Sequence, residues 1–338
     1  MFFNKIQKKI QKATNKSLKK EILKNINRNI KYLSKKKFFP VQDIRNVRFG
    51  KKTNIGLIVG GGPSLRKNNF IPLIKKYKKN FVIISTDGSL YYLLENKIIP
   101  DLVITLDPHK NRIVRWFGDS KLKINSKPKD DYFRRQDIDV KFRDEINTNN
   151  KIIKILNKNG NKLNIAACTS SSSKVVERLK NIKAKIFWWH PFLDEPNKKN
   201  SITKKIYKKL KIPIINSFGN VGSAAWIFAE SVLGLKKIVL LGIDCSYYID
   251  TPLNQTQYYD VIKKSFGIKN LKKFYKKIYN PKLKRYFYTD YIYYWYKKIF
   301  LDIVKLSKSK TYNCSNGGIL YEKPLKIMKF NKFIEKNI

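Results

Sequence analysis

Small clusters of glycine, hydroxyl and carboxylate residues recur along the sequence, each just after an apolar run. Gly60-Gly61-Gly62-Pro63-Ser64 follows Ile55–Val59, Asp87-Gly88 follows Phe81–Ile84 and its Ser-Thr, and Asp107 follows Leu102–Leu106. Thr169-Ser170-Ser171 follows Leu163–Cys168, His190 follows Lys185–Trp189, and Gly242-Ile243-Asp244 follows Ile238–Leu241. Asn220-Val221-Gly222-Ser223 opens an Ala-rich segment, and Tyr247 and Tyr248 trail Asp244. A glycine loop brings backbone close to a phosphate and aims the N–H groups of the next helix at it. Ser64 would then cap that helix or touch the phosphate. Thr169, Ser170 and Ser171 offer hydroxyls, and Asn220, Gly222 and Ser223 offer a helix start suited to an anion. Carboxylates at Asp87 and Asp107 can bind ribose hydroxyls, hold a cation or act as a base. Asp87 reads equally well as a helix cap. Asp244 is the leading candidate for catalysis or substrate binding, and His190 and Asp107 are the other catalytic candidates, while a lone surface histidine is the safer reading of both His109 and His190.

Several familiar chemistries are excluded by spacing. No Gly-Lys-Ser/Thr completes a P-loop, and the glycines lack the spacing of a dinucleotide fingerprint. There is no Gly-x-Ser-x-Gly elbow, and no His/Cys/Asp group has metal-ligand spacing, so no metal site is expected.

The elements that must position these residues follow from the apolar runs. Near-continuous apolar strands alternating with helical segments predict a parallel sheet covered on both faces. In such a sheet, ligands bind at the carboxyl ends of the strands near the point where strand order reverses. The clusters therefore form one constellation. We assign a Rossmann-like α/β domain to residues 49–250. Before it, residues 1–48 carry Ile6, Ile10, Leu18, Ile22, Ile26, Ile30 and Leu33 at helical spacing among lysines, a basic amphipathic helical segment. It could pack on the domain or lie on an anionic membrane surface, and packing is favoured. Residues 251–338 are Tyr/Lys-rich, include Tyr291-Ile292-Tyr293-Tyr294-Trp295-Tyr296, and read as a helical lid or extension. Residues 112–160 read as a polar excursion.

Composition narrows the class further. The 338 residues are 42% hydrophobic with 20 Tyr, 20 Phe and 5 Trp, enough for a folded core. No apolar run approaches the roughly 20 residues of a membrane span, and the N-terminus has no signal-peptide centre. Three separated cysteines argue against a disulfide framework, which points to a cytoplasmic protein. The net charge of +49 attracts anions of any kind, but it is spread along the chain and nucleic acid is not expected as a partner.

Gly60–Leu65, Asp87-Gly88 and Ile99-Pro100-Asp101-Leu102-Val103-Ile104-Thr105-Leu106-Asp107-Pro108 together resemble the MptE-like domain family. That family contains 6-hydroxymethylpterin diphosphokinases and the motility accessory factor (Maf) flagellin glycosyltransferases. Gly219-Asn220-Val221-Gly222 and Gly242-Ile243-Asp244 look like its later motif, and Asn313–Gly318 resembles a terminal Asn-x-Thr-x-Gly-Gly element of the Maf branch. The resemblance covers roughly 55–325. The Gly-Pro-Ser loop and the later Gly-Ile-Asp segment are also similar to bacterial sialyltransferases that use a CMP-activated nonulosonic acid. That resemblance implies that Gly60–Ser64 face the nucleotide phosphate, that Asp87 and Asp107 lie near the donor, and that Tyr247 or Tyr248 steadies the leaving phosphate.

Two departures stand out. Those sialyltransferases place a His base after the Gly-Ile-Asp segment, whereas here the last histidine is His190, leaving Asp244 or His190 as substitutes. The diphosphokinases carry a paired-carboxylate Asp-Leu-Asp-Gly element suited to magnesium, whereas Thr105-Leu106-Asp107-Pro108 supplies one Asp, with Asp87 as a second from the neighbouring strand. The resulting expectation is a glycosyltransferase-like enzyme using a nucleotide-sugar donor, CMP-linked by preference, and a protein or glycan acceptor. It would be cytoplasmic or peripheral at the inner membrane surface through residues 1–48. The alternatives are an ATP- and Mg2+-dependent 6-hydroxymethylpterin diphosphokinase and a non-enzymatic basic protein that binds nucleic acid or a membrane surface.

Overall fold

Runs such as Ile-Gly-Leu-Ile-Val become strands because branched side chains fill both sides of a buried pleat. The computed structural model describes residues 19–47, 49–109, 116–122 and 145–338. Its first strands are β1 (Phe39–Pro40), β2 (Ile55–Val59), β3 (Val82–Thr86), β4 (Leu102–Thr105) and β5 (Asn164–Cys168). Then come β6 (Lys185–Pro191), β7 (Ile214–Ile215), β8 (Lys237–Leu241) and β9 (Tyr247–Tyr248). The last are β10 (Tyr275–Asn280), β11 (Arg285–Asp290), β12 (Lys310–Asn313) and β13 (Lys326–Ile327). The main sheet has the order β1-β6-β5-β4-β3-β2-β8-β12-β13, with β7 beside β6. Its strands pair in parallel, in register from Leu57 against Ile83 to Leu57 against Val239. Strand order reverses at β2, which has β3 on one side and β8 on the other.

Alternation along the strands divides the core in two. Ile58, Ile84, Ile104, Ala166 and Phe187 meet the helices Val221–Ile227 and Tyr291–Leu306 on one face. Leu57, Ile83, Val103 and Ile165 meet the helices Ile71–Tyr77, Asp87–Glu95, Glu145–Asn159, Ser173–Asn181 and Phe330–Asn337 on the other. Ala224, Ala225 and Ala229 let their helix lie close against the sheet. The expected parallel sheet with helices on both faces is thus the observed architecture.

Two expectations are modified. The C-terminal region is only partly helical. Tyr275–Asn280 and Arg285–Asp290 form an antiparallel hairpin that adds β9 to make a separate three-stranded sheet. Its cue is two Tyr-rich runs flanking Pro281-Lys282-Leu283-Lys284, a strand–turn–strand pattern. Moreover, β12 and β13 join the main sheet next to β8. At the other end, the helix over 19–33 lies across the sheet's carboxyl edge. Ile26 and Ile30 pack on Ile206, and Leu33 enters the core beside Leu90 and Trp188. Each such burial is worth on the order of 2 kcal/mol. The apolar face of this helix is therefore spent on the domain, while residues 1–18 lie outside the described residues. Among the described residues no helix is long and apolar enough to cross a membrane.

Candidate functional site

Where strand order reverses, the loops after β2, β8 and β12 meet. The Gly60 N–H donates to Leu241 O at 2.8 Å, and the Gly62 N–H donates to Gly242 O at 2.7 Å. A Cβ on Gly60 would come within 2.5 Å of Gly242 O and collide with Ile243 Cδ1. A Cβ on Gly317 would strike Ser64, and one on Gly318, whose φ is +76°, would strike the Asp244 backbone. Asn68 ties the third loop to the first, donating from Nδ2 to Ser64 O and Ser315 O. Glycine is required at this junction because backbone meets backbone.

Asp244 closes the junction. Its Oδ2 accepts from the Ser64 N–H at 2.7 Å and its Oδ1 from Ser64 Oγ at 2.5 Å. Three donors of the glycine loop, on Gly60, Gly62 and Ser64, therefore point into the protein, and Pro63 has none to offer. The carboxylate of Asp244 takes the place next to Ser64 that an anion was expected to fill. Burial pushes its pKa up to about 6 against the opposing pull of Ser64. The folded-state value then exceeds the ordinary 3.8, so this group's contribution to stability is full below that value and is lost as pH rises through about 6. Asp290, buried and raised to about 6 as well, acts in the same sense. Stability is expected to decline over this window, and Asp244→Asn to flatten part of the decline, since the carboxamide keeps an acceptor for the Ser64 N–H. Urea unfolding across the window measures this; a slope identical to the parent's would mean that Asp244 does not titrate there.

Along the neighbouring strand ends the arrangement differs residue by residue. Asp87 begins the helix Asp87–Glu95 instead of capping it, Thr86 being the cap position. Its Oδ1 accepts from the Gly88 N–H at 2.8 Å and its Oδ2 from Thr105 Oγ1 at 2.9 Å. Asp107 is half-buried in the loop after β4, where Oδ1 accepts from the His109 N–H at 2.9 Å. Thr169, Ser170 and Ser171 are buried under the helix over 19–33. Asn29 Nδ2 donates to Thr169 O and Ser171 O, Arg28 to Ser171 O, and Asn25 to Pro108 O. Ser170 Oγ donates to Leu106 O, and Ser171 Oγ has no partner among the described residues. These hydroxyls are inside the protein and do not face the crevice.

His190 is also interior, at 0% exposure. Nε2 lies 2.9 Å from Leu210 O, which can only accept, so Nε2 carries the hydrogen. Nδ1 then accepts from Thr169 Oγ1 at 2.9 Å. The ring is fully engaged, and burial, which favours the neutral form, lowers its pKa against the opposing pull of the Leu210 carbonyl. Among the catalytic candidates Asp107, Asp244 and His190, Asp107 has the most open carboxylate.

On the opposite side of the crevice, Asn220 caps the helix Val221–Ile227, accepting from the Ser223 N–H at 2.8 Å and donating to Ser223 Oγ at 2.9 Å. Gly222 would meet Ile243 Cδ1 at 3.2 Å if it carried a Cβ, so Ile243 lies between this helix start and Gly60. Tyr247 is buried, donating to Asp290 Oδ2 at 2.7 Å, while Asp290 caps the helix Tyr291–Leu306. Tyr247 is thus a structural link. Tyr248 lines an open pocket of about 670 Å³ together with Lys67, Ile249, Asp250, Lys277, Arg285 and Tyr286. Sequence reasoning missed Lys67, Lys277, Arg285 and Tyr286. The hairpin pattern around Pro281 was the one signal that could have brought three of them together.

Residues 20–124 match the model of the family described as 6-hydroxymethylpterin diphosphokinase MptE-like. The matched segment holds Gly60–Ser64, Asp87 and Asp107, and it starts within the helix that covers the strand ends. The MptE-like resemblance of these motifs is thereby borne out. Among solved structures, the chain is similar to the MAf glycosyltransferase from Magnetospirillum magneticum AMB-1, at 14% identity and a TM-score of 0.48. That similarity covers 86% of this chain and 37% of the other, so the chain spans little more than a third of that structure. No curated protein matches the chain.

Proposed function

We propose that the chain is a transferase of the glycosyltransferase type, moving a sugar from a nucleotide-activated donor to an acceptor hydroxyl. The donor would lie at the carboxyl ends of β2, β3 and β4, over the loops that carry Gly61, Asp87 and Asp107. The MptE-like segment supports the general class. The choice within it is carried by one observation, the hydrogen bond from Thr105 Oγ1 to Asp87. Thr105 stands at the end of β4 where a paired-carboxylate element would place its first Asp, and it donates to Asp87 instead of joining it in binding a cation. Among the described residues no three His, Cys, Asp or Glu side chains converge as ligands. The magnesium of a diphosphokinase would have Asp87 and Asp107 as its carboxylates, and Asp87 is already engaged by Thr105 Oγ1 and the Gly88 N–H.

In this reading Asp107 takes the proton of the acceptor hydroxyl as its oxygen attacks the anomeric carbon. The bond from that carbon to the donor phosphate breaks, and the phosphate keeps the electron pair. The N–H groups of Val221 and Gly222, at the start of the helix Val221–Ile227, stabilise the charge that develops. A CMP-linked nonulosonic acid is the preferred donor, on the resemblance to sialyltransferases.

Thermal-shift titration with CMP, CTP, UDP and ATP, each with and without magnesium, tests the reading, because ligands that bind the native state raise its apparent stability. Metal-independent stabilisation by cytidine nucleotides is expected. A response confined to ATP with magnesium would replace the proposal with the diphosphokinase, and no response to any nucleotide would leave only the basic binding protein.

A further inference from the structure

The pocket around Tyr248 shares no residue with the crevice. It opens beyond the glycine junction, where the Tyr248 hydroxyl would lie 3.1 Å from a Cβ on Gly317, the residue packed on Ser64. Its walls come from three separate parts of the chain: Lys67 after the glycine loop, Tyr248–Asp250 after Asp244, and Lys277, Arg285 and Tyr286 from the β10–β11 hairpin. No single stretch of sequence announces it.

The wall chemistry is specific. Lys67 Nζ sits 4.1 Å from the centre of the Tyr248 ring, and Lys277 Nζ 4.4 Å from that of Tyr286. Each cation is thus held against an aromatic face, an arrangement that orders a long side chain. The Arg285 guanidinium has no hydrogen bond or ion pair among the described residues, and its charge partly offsets the burial that raises the Tyr248 pKa to about 12. One acid, Asp250, lies in the pocket, bonded to Lys67 at 3.3 Å and 74% exposed. Three cations against one carboxylate leave an uncompensated positive charge, and the guanidinium of Arg285 is shaped for two oxygens of a phosphate or carboxylate. Beside the charges lies an apolar ledge. Tyr286 is 48% exposed, its ring 4.9 Å from that of Tyr279, and Ile249 is exposed as well. The exposed parts of Tyr286 and Ile249 beside a cationic fork suit a ring that is apolar on one side and anionic at its edge.

We propose that this pocket binds an anionic sugar, one carrying a phosphate ester or a carboxylate, at a site separate from the donor crevice. Its role as the seat of an acidic acceptor rests on the transferase reading; the binding itself does not.

The test is calorimetric titration of the full chain with glucose 1-phosphate, N-acetylneuraminic acid and glucose. The parent is compared with a Lys277→Ala/Arg285→Ala variant and a Lys204→Ala/Lys205→Ala variant, which removes equal charge from the exposed side of the helix Ile202–Lys209. Binding of at least one anionic sugar is expected, with glucose silent and the pocket variant weaker by about tenfold or more, the loss of one or two charge-assisted contacts. The control variant should match the parent. Whichever anionic sugar binds identifies phosphate or carboxylate as the recognised group. Equal binding of glucose, equal weakening in the control variant, or no anionic sugar bound at about 10 mM, a Kd too weak for a formed site, would each overturn the proposal. Tyr286→Ala, which leaves the charge untouched, should also weaken binding, and unchanged affinity there would overturn recognition of a sugar ring. Titrating CMP into the pocket variant separates the two readings. Unaltered CMP binding keeps the sites distinct, whereas its loss would make this pocket the nucleotide's own phosphate seat and overturn the inference. Failure of CMP to bind the parent would sink the transferase reading alone.

Discussion

Asp107→Asn is expected to lower sugar-transfer turnover by about 10²–10⁴-fold, the range for losing a general base, while nucleotide binding stays near that of the parent. The substitution is nearly isosteric, and the carboxamide oxygen can still accept from the His109 N–H. The loop after β4 should therefore keep its shape. What disappears is the ability to hold a proton. Asp244 cannot take over, because both its oxygens are bound by Ser64 in the interior. His190 cannot either, with one ring nitrogen donating to Leu210 O and the other accepting from Thr169. Steady-state turnover, with CMP affinity measured in parallel, reads the outcome. Full activity in the variant would reduce Asp107 to a turn former and leave the base unassigned.

The second large effect is on stability. Gly60→Ala is expected to cost about 3 kcal/mol, the upper end for overpacking, because the added methyl meets backbone that cannot yield. The new Cβ would lie within 2.5 Å of Gly242 O and collide with Ile243 Cδ1 at the point where β2 and β8 end side by side. Gly50→Ala is the comparison. At φ +68° its backbone is strained for alanine, yet nothing lies within 4 Å, so its cost should stay near 1 kcal/mol. Urea midpoints of the two variants test the contrast. Equal losses would show that the junction is looser than its geometry.

Much of the architecture was readable beforehand. Ile55–Val59, Val82–Thr86 and Leu102–Thr105 are buried at every position, as their near-continuous apolar texture implied. The motifs sit at strand ends because small and acidic residues stop such runs. The hairpin β10–β11 escaped notice because lysines interrupt its tyrosines on an exposed surface, which blurs the period-two signal. The covering of Thr169–Ser171 was hidden for another reason. Amphipathic spacing shows that Ile26 and Ile30 share a face, but not which surface that face meets.

The same division runs through the site. The sequence by itself determined which residue types stand at the carboxyl edge of a parallel sheet, since local periodicity and chain breaks are encoded by neighbours. Which of those residues remain available for a ligand was decided by tertiary structure alone. Asp244 meets Ser64 across 180 positions and Asn29 meets Thr169 across 140. Burial and hydrogen-bond satisfaction are properties of such distant pairs. They turn Asp244, His190 and the serine cluster inward, leave Asp107 half-buried in its loop, and assemble a cationic pocket from three distant parts of the chain.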